Sequence, residues 1–164
     1  MKRNIVIVAG FVFLLLGCSK NTVGESLKDI SDYTKYTGCE YKITEELFLV
    51  RSFGQLYLIE PVPEDNVLGK LTNSPTIKSF KDKTWDKKNY TGDYEYLEII
   101  PKGTQLKVVD IVRTTNLEVG VTYHVYAKFI NSSIRSENEI DVSWIVNDKE
   151  KPEKLSGAAL IKCE

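Results

Sequence analysis

Between residues 121 and 130 the chain alternates without a break. Val121, Tyr123, Val125, Ala127 and Phe129 fall on one face of an extended strand, and Thr122, His124, Tyr126 and Lys128 on the other. Successive side chains of a strand point to opposite faces, so this pattern predicts a β-strand with one dry and one wet side. The rest of the domain repeats the signal in shorter runs. Residues 47–50, Leu-Phe-Leu-Val, are too few for a typical helix; Ser52-Phe53-Gly54 predicts a turn and residues 55–59 its return strand. Pro61 and Pro63 close that strand, because proline donates no ladder hydrogen bond. Residues 94–100, Pro101-Lys102-Gly103-Thr104 and residues 105–113 predict strand, turn and strand, with proline presetting one φ and glycine admitting a positive one. Further strands are expected at 41–43, at 76–80, at 140–146 carrying Trp144, and at 158–163. The expected fold is mainly β: a single small antiparallel domain of about seven strands, a partly closed β-barrel or sandwich that hides its edges.

Residues 1–17 stand apart from that pattern. Lys2 and Arg3 precede an apolar run from Ile5 to Leu16 that stops at Gly17-Cys18. At roughly 12 residues it falls short of the about 20 needed to cross a hydrocarbon core, and a charged start with a short apolar run is the secretory layout. Leu15-Leu16-Gly17-Cys18 resembles the lipobox of bacterial lipoproteins. That resemblance implies removal of residues 1–17 as a lipoprotein signal peptide, lipidation of Cys18, and a membrane partner reached through that lipid. Several acyl chains on one cysteine anchor stably, at about 0.8 kcal/mol per buried methylene. Ser19 after the cysteine, with no Asp there, implies transfer to the outer membrane of a Gram-negative cell, facing the periplasm. In a Gram-positive cell the same lipid holds the domain on the outer face of the plasma membrane. Residues 18–38 then read as lipidated N-terminus and polar tether, with one helical turn around residues 25–30, and residues 39–164 as the β domain.

Export leaves two cysteines besides Cys18, namely Cys39 and Cys163, and an even pair in an oxidising compartment reads as a disulfide. Closing a loop of about 125 residues is worth on the order of 5 kcal/mol in the chain-entropy account, and it would join the first strand of the domain to the last. With 22 basic against 23 acidic residues the chain lacks the basic face that nucleic acid demands. Residues 96–109, Tyr-Leu-Glu-Ile-Ile-Pro-Lys-Gly-Thr-Gln-Leu-Lys-Val-Val, are similar to the core hairpin of bacterial Src-homology-three-like barrels, a likeness around residues 94–130. It implies a small barrel and no particular ligand.

Catalytic constellations are thin. His124 is the one histidine and sits on the outward side of its strand, so a Ser-His-Asp or Cys-His centre has a single candidate base. Phosphate-loop, HExxH and EF-hand spacings do not occur. The expectation is a non-enzyme with no catalytic residue, cofactor or metal. Binding suits a chain with nine tyrosines, six phenylalanines and two tryptophans. Tyr41, Phe48, Tyr57, Tyr123, Phe129 and Trp144 are expected in the core. Trp85 and Tyr90 lie in a lysine-rich stretch without apolar periodicity; with Lys81, Lys83, Lys87 and Lys88 they form the candidate contact surface for an acidic partner. The functional expectation is a lipoprotein presenting a non-catalytic binding domain to a protein partner in the envelope, as an inhibitor or immunity protein against a toxin or wall hydrolase. The alternatives are a cell-wall-binding or envelope-assembly accessory, and a structural envelope protein.

Overall fold

Leu47, Phe48, Leu49 and Val50 are all buried although they are consecutive in one strand. A strand that buries both faces must lie between two apolar layers, and the fold is arranged around that need. The computed structural model describes residues 23–63, 72–116, 120–130, 139–146 and 160–162. Its strands are β1 (Val23–Ser26), β2 (Glu40–Ile43), β3 (Leu47–Ser52), β4 (Gln55–Ile59), β5 (Glu95–Ile100), β6 (Gln105–Asn116), β7 (Gly120–Ile130), β8 (Ile140–Asp141) and β9 (Leu160–Lys162). They form one sheet in the order β5-β3-β4-β8-β7-β6-β2-β9, with β1 added on β6. Every pairing is antiparallel except that of β4 with β8. The fold is therefore mainly β, and among the described residues the two end strands β5 and β9 do not pair with each other.

β5 and β6, read from the sequence as a hairpin, do not pair together. β5 lies on β3 and β6 on β2, and one register runs through the corner from Leu49 opposite Glu98, past Leu47 opposite Ile100, to Tyr41 opposite Leu106. Between them Gly103 N donates to Ile43 O at 2.8 Å and Ile43 N donates to Thr104 O at 2.9 Å. The segments β2–β3 and β5–β6 thus round one corner side by side. Thr104 N donates back to Pro101 O, and Gly103 has φ +93°, the positive value that the third position of a type II turn requires.

A register shift near Val109 puts Leu106, Val108 and Ile111 all into the core, as an inserted residue does at a bulge. There Asp110 Oδ1 accepts from Ser26 Oγ at 2.7 Å and from Ile111 N at 2.8 Å, pinning β1 to β6. Residues 23–37 are consequently part of the domain and not a tether. Leu27 is buried, Tyr33 and Tyr36 pack on the core, and the helical turn lies at Ser31–Thr34 instead of 25–30. Cys18 lies outside the described residues.

The main core gathers Ile43, Leu47, Leu49, Leu58, Ile100, Leu106, Ile111, Val125 and Ala127. The inward face read for β7 is the buried one, through Val125 and Ala127. On the far side of β3, Phe48, Val50 and Tyr96 start a second layer, covered by residues 72–94 through Ile77, Phe80, Trp85 and Tyr90. The strand expected at 76–80 is a helix, Ile77–Lys81. Thr76 Oγ1 accepts from Ser79 N and Ser79 Oγ accepts from Thr76 N, a capping box that satisfies open amides locally and overrides strand propensity. The strand expected at 140–146 ends at Asp141, and a 3-10 helix, Ser143–Ile145, follows. That carries Trp144 out of the core, where it was expected, to 53% exposure.

β9 pairs with β2, Lys162 facing Tyr41, so the strands that the expected disulfide would link are neighbours. Cys39 is half-buried and its Sγ donates to Lys35 O at 3.0 Å; Cys163 lies outside the described residues.

Burial pushes the phenols of Tyr41 and Tyr96 from 10.0 up to about 12. The native state keeps these protons after the unfolded chain has begun to lose them, so stability is complete below pH 10 and falls as pH rises toward 12. Thermal melts should show a level Tm up to that pH and a decline above it, shallower in Tyr41→Phe and Tyr96→Phe. A Tm flat across the alkaline range contradicts this. At the corner, Gly103→Ala has room, Lys42 Cε lying 3.8 Å from the added carbon, yet it forces a positive φ on alanine. Denaturant unfolding should place the loss at about 1–3 kcal/mol with an unchanged m-value.

Candidate functional site

The loop between β3 and β4 has two residues, Phe53 with φ +48° and Gly54 with φ +82°. Two positive φ values make the hairpin turn whose twist matches its strands, and Asn or Asp normally fills the first position. A bulky residue there costs on the order of 1–2 kcal/mol. Phe53 recovers none of this by packing, being 98% exposed.

Trp144 is held out by a buried carboxylate. Asp141, 1% exposed, accepts from Ser143 N at 2.9 Å, from Ser143 Oγ, and from His124 Nδ1 at 2.9 Å. Ser143 Oγ in turn accepts from Val125 N at 2.8 Å. A carboxylate only accepts, so Nδ1 of His124 carries the proton. These bonds satisfy a group that would be costly to bury alone. They tie β7 to the 3-10 turn and fix the direction of the next side chain, Trp144. The serine hydroxyl is bonded to the carboxylate and not to the imidazole, so the trio is a bracket and lacks the nucleophile–base contact of a triad. His124, read as solvent-facing, is half-exposed on one side and paired on the other.

Phe53 and Trp144 stand at a cavity of about 440 Å³, lined also by Ser52, Tyr57, Ile59, Val62, Thr72, Ser74, Tyr90, Gly92, Asp93, Tyr94 and Tyr96. That size falls within the range of roughly 300–1,000 Å³ seen for small-ligand sites. β4 and β5 supply Tyr57 and Tyr96, while the covering segment 72–94 supplies Tyr90, Asp93 and Tyr94. Tyr94 N donates to Tyr90 Oη at 3.2 Å, and the Tyr90 ring lies edge-on to Tyr96 at a centroid distance of 5.5 Å. Burial raises the phenols of Tyr57, Tyr94 and Tyr96; the charge of Asp141 adds to the first, and Tyr90 and Asp93 to the second. All three are neutral hydroxyls at physiological pH. Asp93 is the one charged residue among the described residues of the lining.

The lysine-rich segment divides differently from its reading in the sequence. Trp85 is half-buried, edge-on to Tyr90 and Tyr96 at centroid distances of 5.6 and 5.3 Å, and its Nε1 donates to Asn73 O at 2.7 Å. Tyr90 packs in the same layer and reaches the cavity. Lys81 binds Glu46 at 2.6 Å, while Lys83, Lys87 and Lys88 are exposed. Phe53, Tyr57, Asp93, Tyr94 and Trp144 were not read as site residues. Only Phe53 carried a signal, since an aromatic at the tip of a two-residue turn has no core to enter.

No protein-family model, no curated protein and no solved structure matches the chain at a significant level. Among the described residues no helix is long and apolar enough to cross a membrane.

Asp141→Ala strips the bracket and leaves the Ser143 amide and the His124 ring without their acceptor. Chemical denaturation should show a loss of about 2–4 kcal/mol. A loss below about 0.5 kcal/mol, the size of an ordinary surface change, contradicts a structural bracket.

Proposed function

We propose that this is a lipid-anchored envelope protein whose β domain binds another macromolecule without catalysis, through the groove between Phe53 and Trp144. The observation that carries the reading is Phe53: strained in its turn and 98% exposed beside a preformed tyrosine-lined cavity. Strained backbone positions cluster at active sites, ligand clamps and switch regions, and aromatic anchors at a pocket dominate contact energies. Lipid on Cys18 holds the domain at the outer membrane, facing the periplasm, or at the outer face of the plasma membrane in a Gram-positive host. A Cys39–Cys163 disulfide staples β2 to the end of the chain, a role supported by the pairing of β2 with β9. The shared corner of β2–β3 and β5–β6 supports a partly closed barrel. Inhibition of a toxin or wall hydrolase, as an immunity protein, is the version we favour, because a rigid aromatic groove suits a protein partner better than a purely structural role does.

The test is capture from envelope extracts with residues 21–164 as bait, beside the same bait carrying Phe53→Ser and Trp144→Ala. One stoichiometric protein held by the first and lost by the second supports the reading. Equal capture by both removes the groove from it, and sedimentation with purified peptidoglycan favours the wall-binding alternative. Cys18→Ala should abolish incorporation of labelled fatty acid and release the domain from the membrane fraction. Alkylation before and after reduction should reveal two thiols only after reduction.

A further inference from the structure

The charges and ring faces of the groove narrow its occupant, and this step rests on the binding role proposed above. We propose that the groove takes the positively charged side chain of an arginine or lysine exposed on a partner protein. Its walls include six aromatic rings, Phe53, Tyr57, Tyr90, Tyr94, Tyr96 and Trp144. The faces of such rings are electron-rich and attract a cation held within about 6 Å of them. Asp93 adds a formal negative charge, and none of the described lining residues is a lysine, arginine or histidine that would repel a cation. An acidic ligand would meet Asp93, and no described lining residue carries a positive charge to offset it. A neutral sugar could stack on the rings but would leave that carboxylate unused.

The cavity, about 440 Å³, is larger than one side chain, so it accommodates an apolar stem and part of the neighbouring residue as well. Neutral phenols and the hydroxyls of Ser52, Thr72 and Ser74 supply acceptors for the several N–H groups of a guanidinium. Arginine fits better than lysine, because its planar head stacks on aromatic faces and is the more weakly hydrated of the two.

Capped tripeptides Leu-Arg-Leu, Leu-Gln-Leu and Leu-Glu-Leu, titrated into the domain 21–164 and followed by NMR, test the assignment. The arginine peptide should bind at least tenfold tighter than the glutamine peptide, shifting resonances of Asp93, Tyr94 and Trp144, and the glutamate peptide weakest of all. Asp93→Asn should reduce arginine-peptide affinity several-fold while leaving glutamine-peptide affinity unchanged. Phe53→Asn should also weaken arginine-peptide binding while raising Tm, because asparagine suits the turn; a folding defect cannot mimic that pair of results. Equal affinity for the arginine and glutamine peptides, preference for the glutamate peptide, or no saturable binding of any peptide overturns the cationic occupant. The binding role itself fails separately, if the groove variants retain full capture of the envelope partner.

Discussion

Phe48 and Val50 point away from the main core, and β3 cannot present them to water. Burying two such side chains is worth roughly 1.5–3 kcal/mol each, provided something covers them. Residues 72–94 do so, with Phe80 edge-on to Phe48 at a centroid distance of 5.4 Å, beside Tyr96 of β5 at 5.0 Å. The cover cannot be flat, because Trp85 and Tyr90 must also pack on Tyr96. Where the cover meets the β3–β4 turn and the Trp144 turn, the fit leaves a cavity walled by the outer rings of the same aromatic layer. The candidate site is thus a by-product of stabilising β3 from outside.

The corner is the second condition. Because β2–β3 and β5–β6 turn together around Gly103, β5 reaches β3 and delivers Tyr96 to its outer face. A one-residue slip between Leu49 and Val50 sets Tyr96 opposite Val50 in place of Leu97. Without that slip the face of β5 next to the cover would carry Leu97, and the ring that packs on Trp85 and Tyr90 would point into the main core.

Much of the sheet was legible because its signals are local. Alternation announced β7, Ser52-Phe53-Gly54 announced the β3–β4 turn, and Pro101 to Thr104 announced the corner turn. The partners were not legible, since a turn between two strands looks the same whether they pair with each other or continue along a neighbouring ladder. The unbroken run Leu47-Phe48-Leu49-Val50 did hold the information that both faces are covered. The helix at Ile77–Lys81 depends on reciprocal bonds between Thr76 and Ser79 that compete with strand propensity. Val23–Ser26 was too polar to read as a strand, and its place follows from Ser26 and Asp110, which lie 84 residues apart. Trp144 misled most: an aromatic in an apolar run reads as core, whereas the neighbouring Ser143 is bonded to Asp141 in a 3-10 turn that turns Trp144 outward. Of the site, the sequence pointed to Tyr90 and its neighbour Trp85, but to their packing partners and to Phe53 and Trp144 not at all as a group.

With two tryptophans in the chain, replacing Trp85 by Phe leaves Trp144 as the sole indole and keeps an aromatic in the covering layer. Its fluorescence then reports occupancy of the groove directly. Titration with the Leu-Arg-Leu peptide should give a saturable blue shift of Trp144 emission, abolished by Phe53→Ser. Emission that stays unchanged while the peptide binds would contradict it, because the ligand would then be held somewhere other than between Phe53 and Trp144.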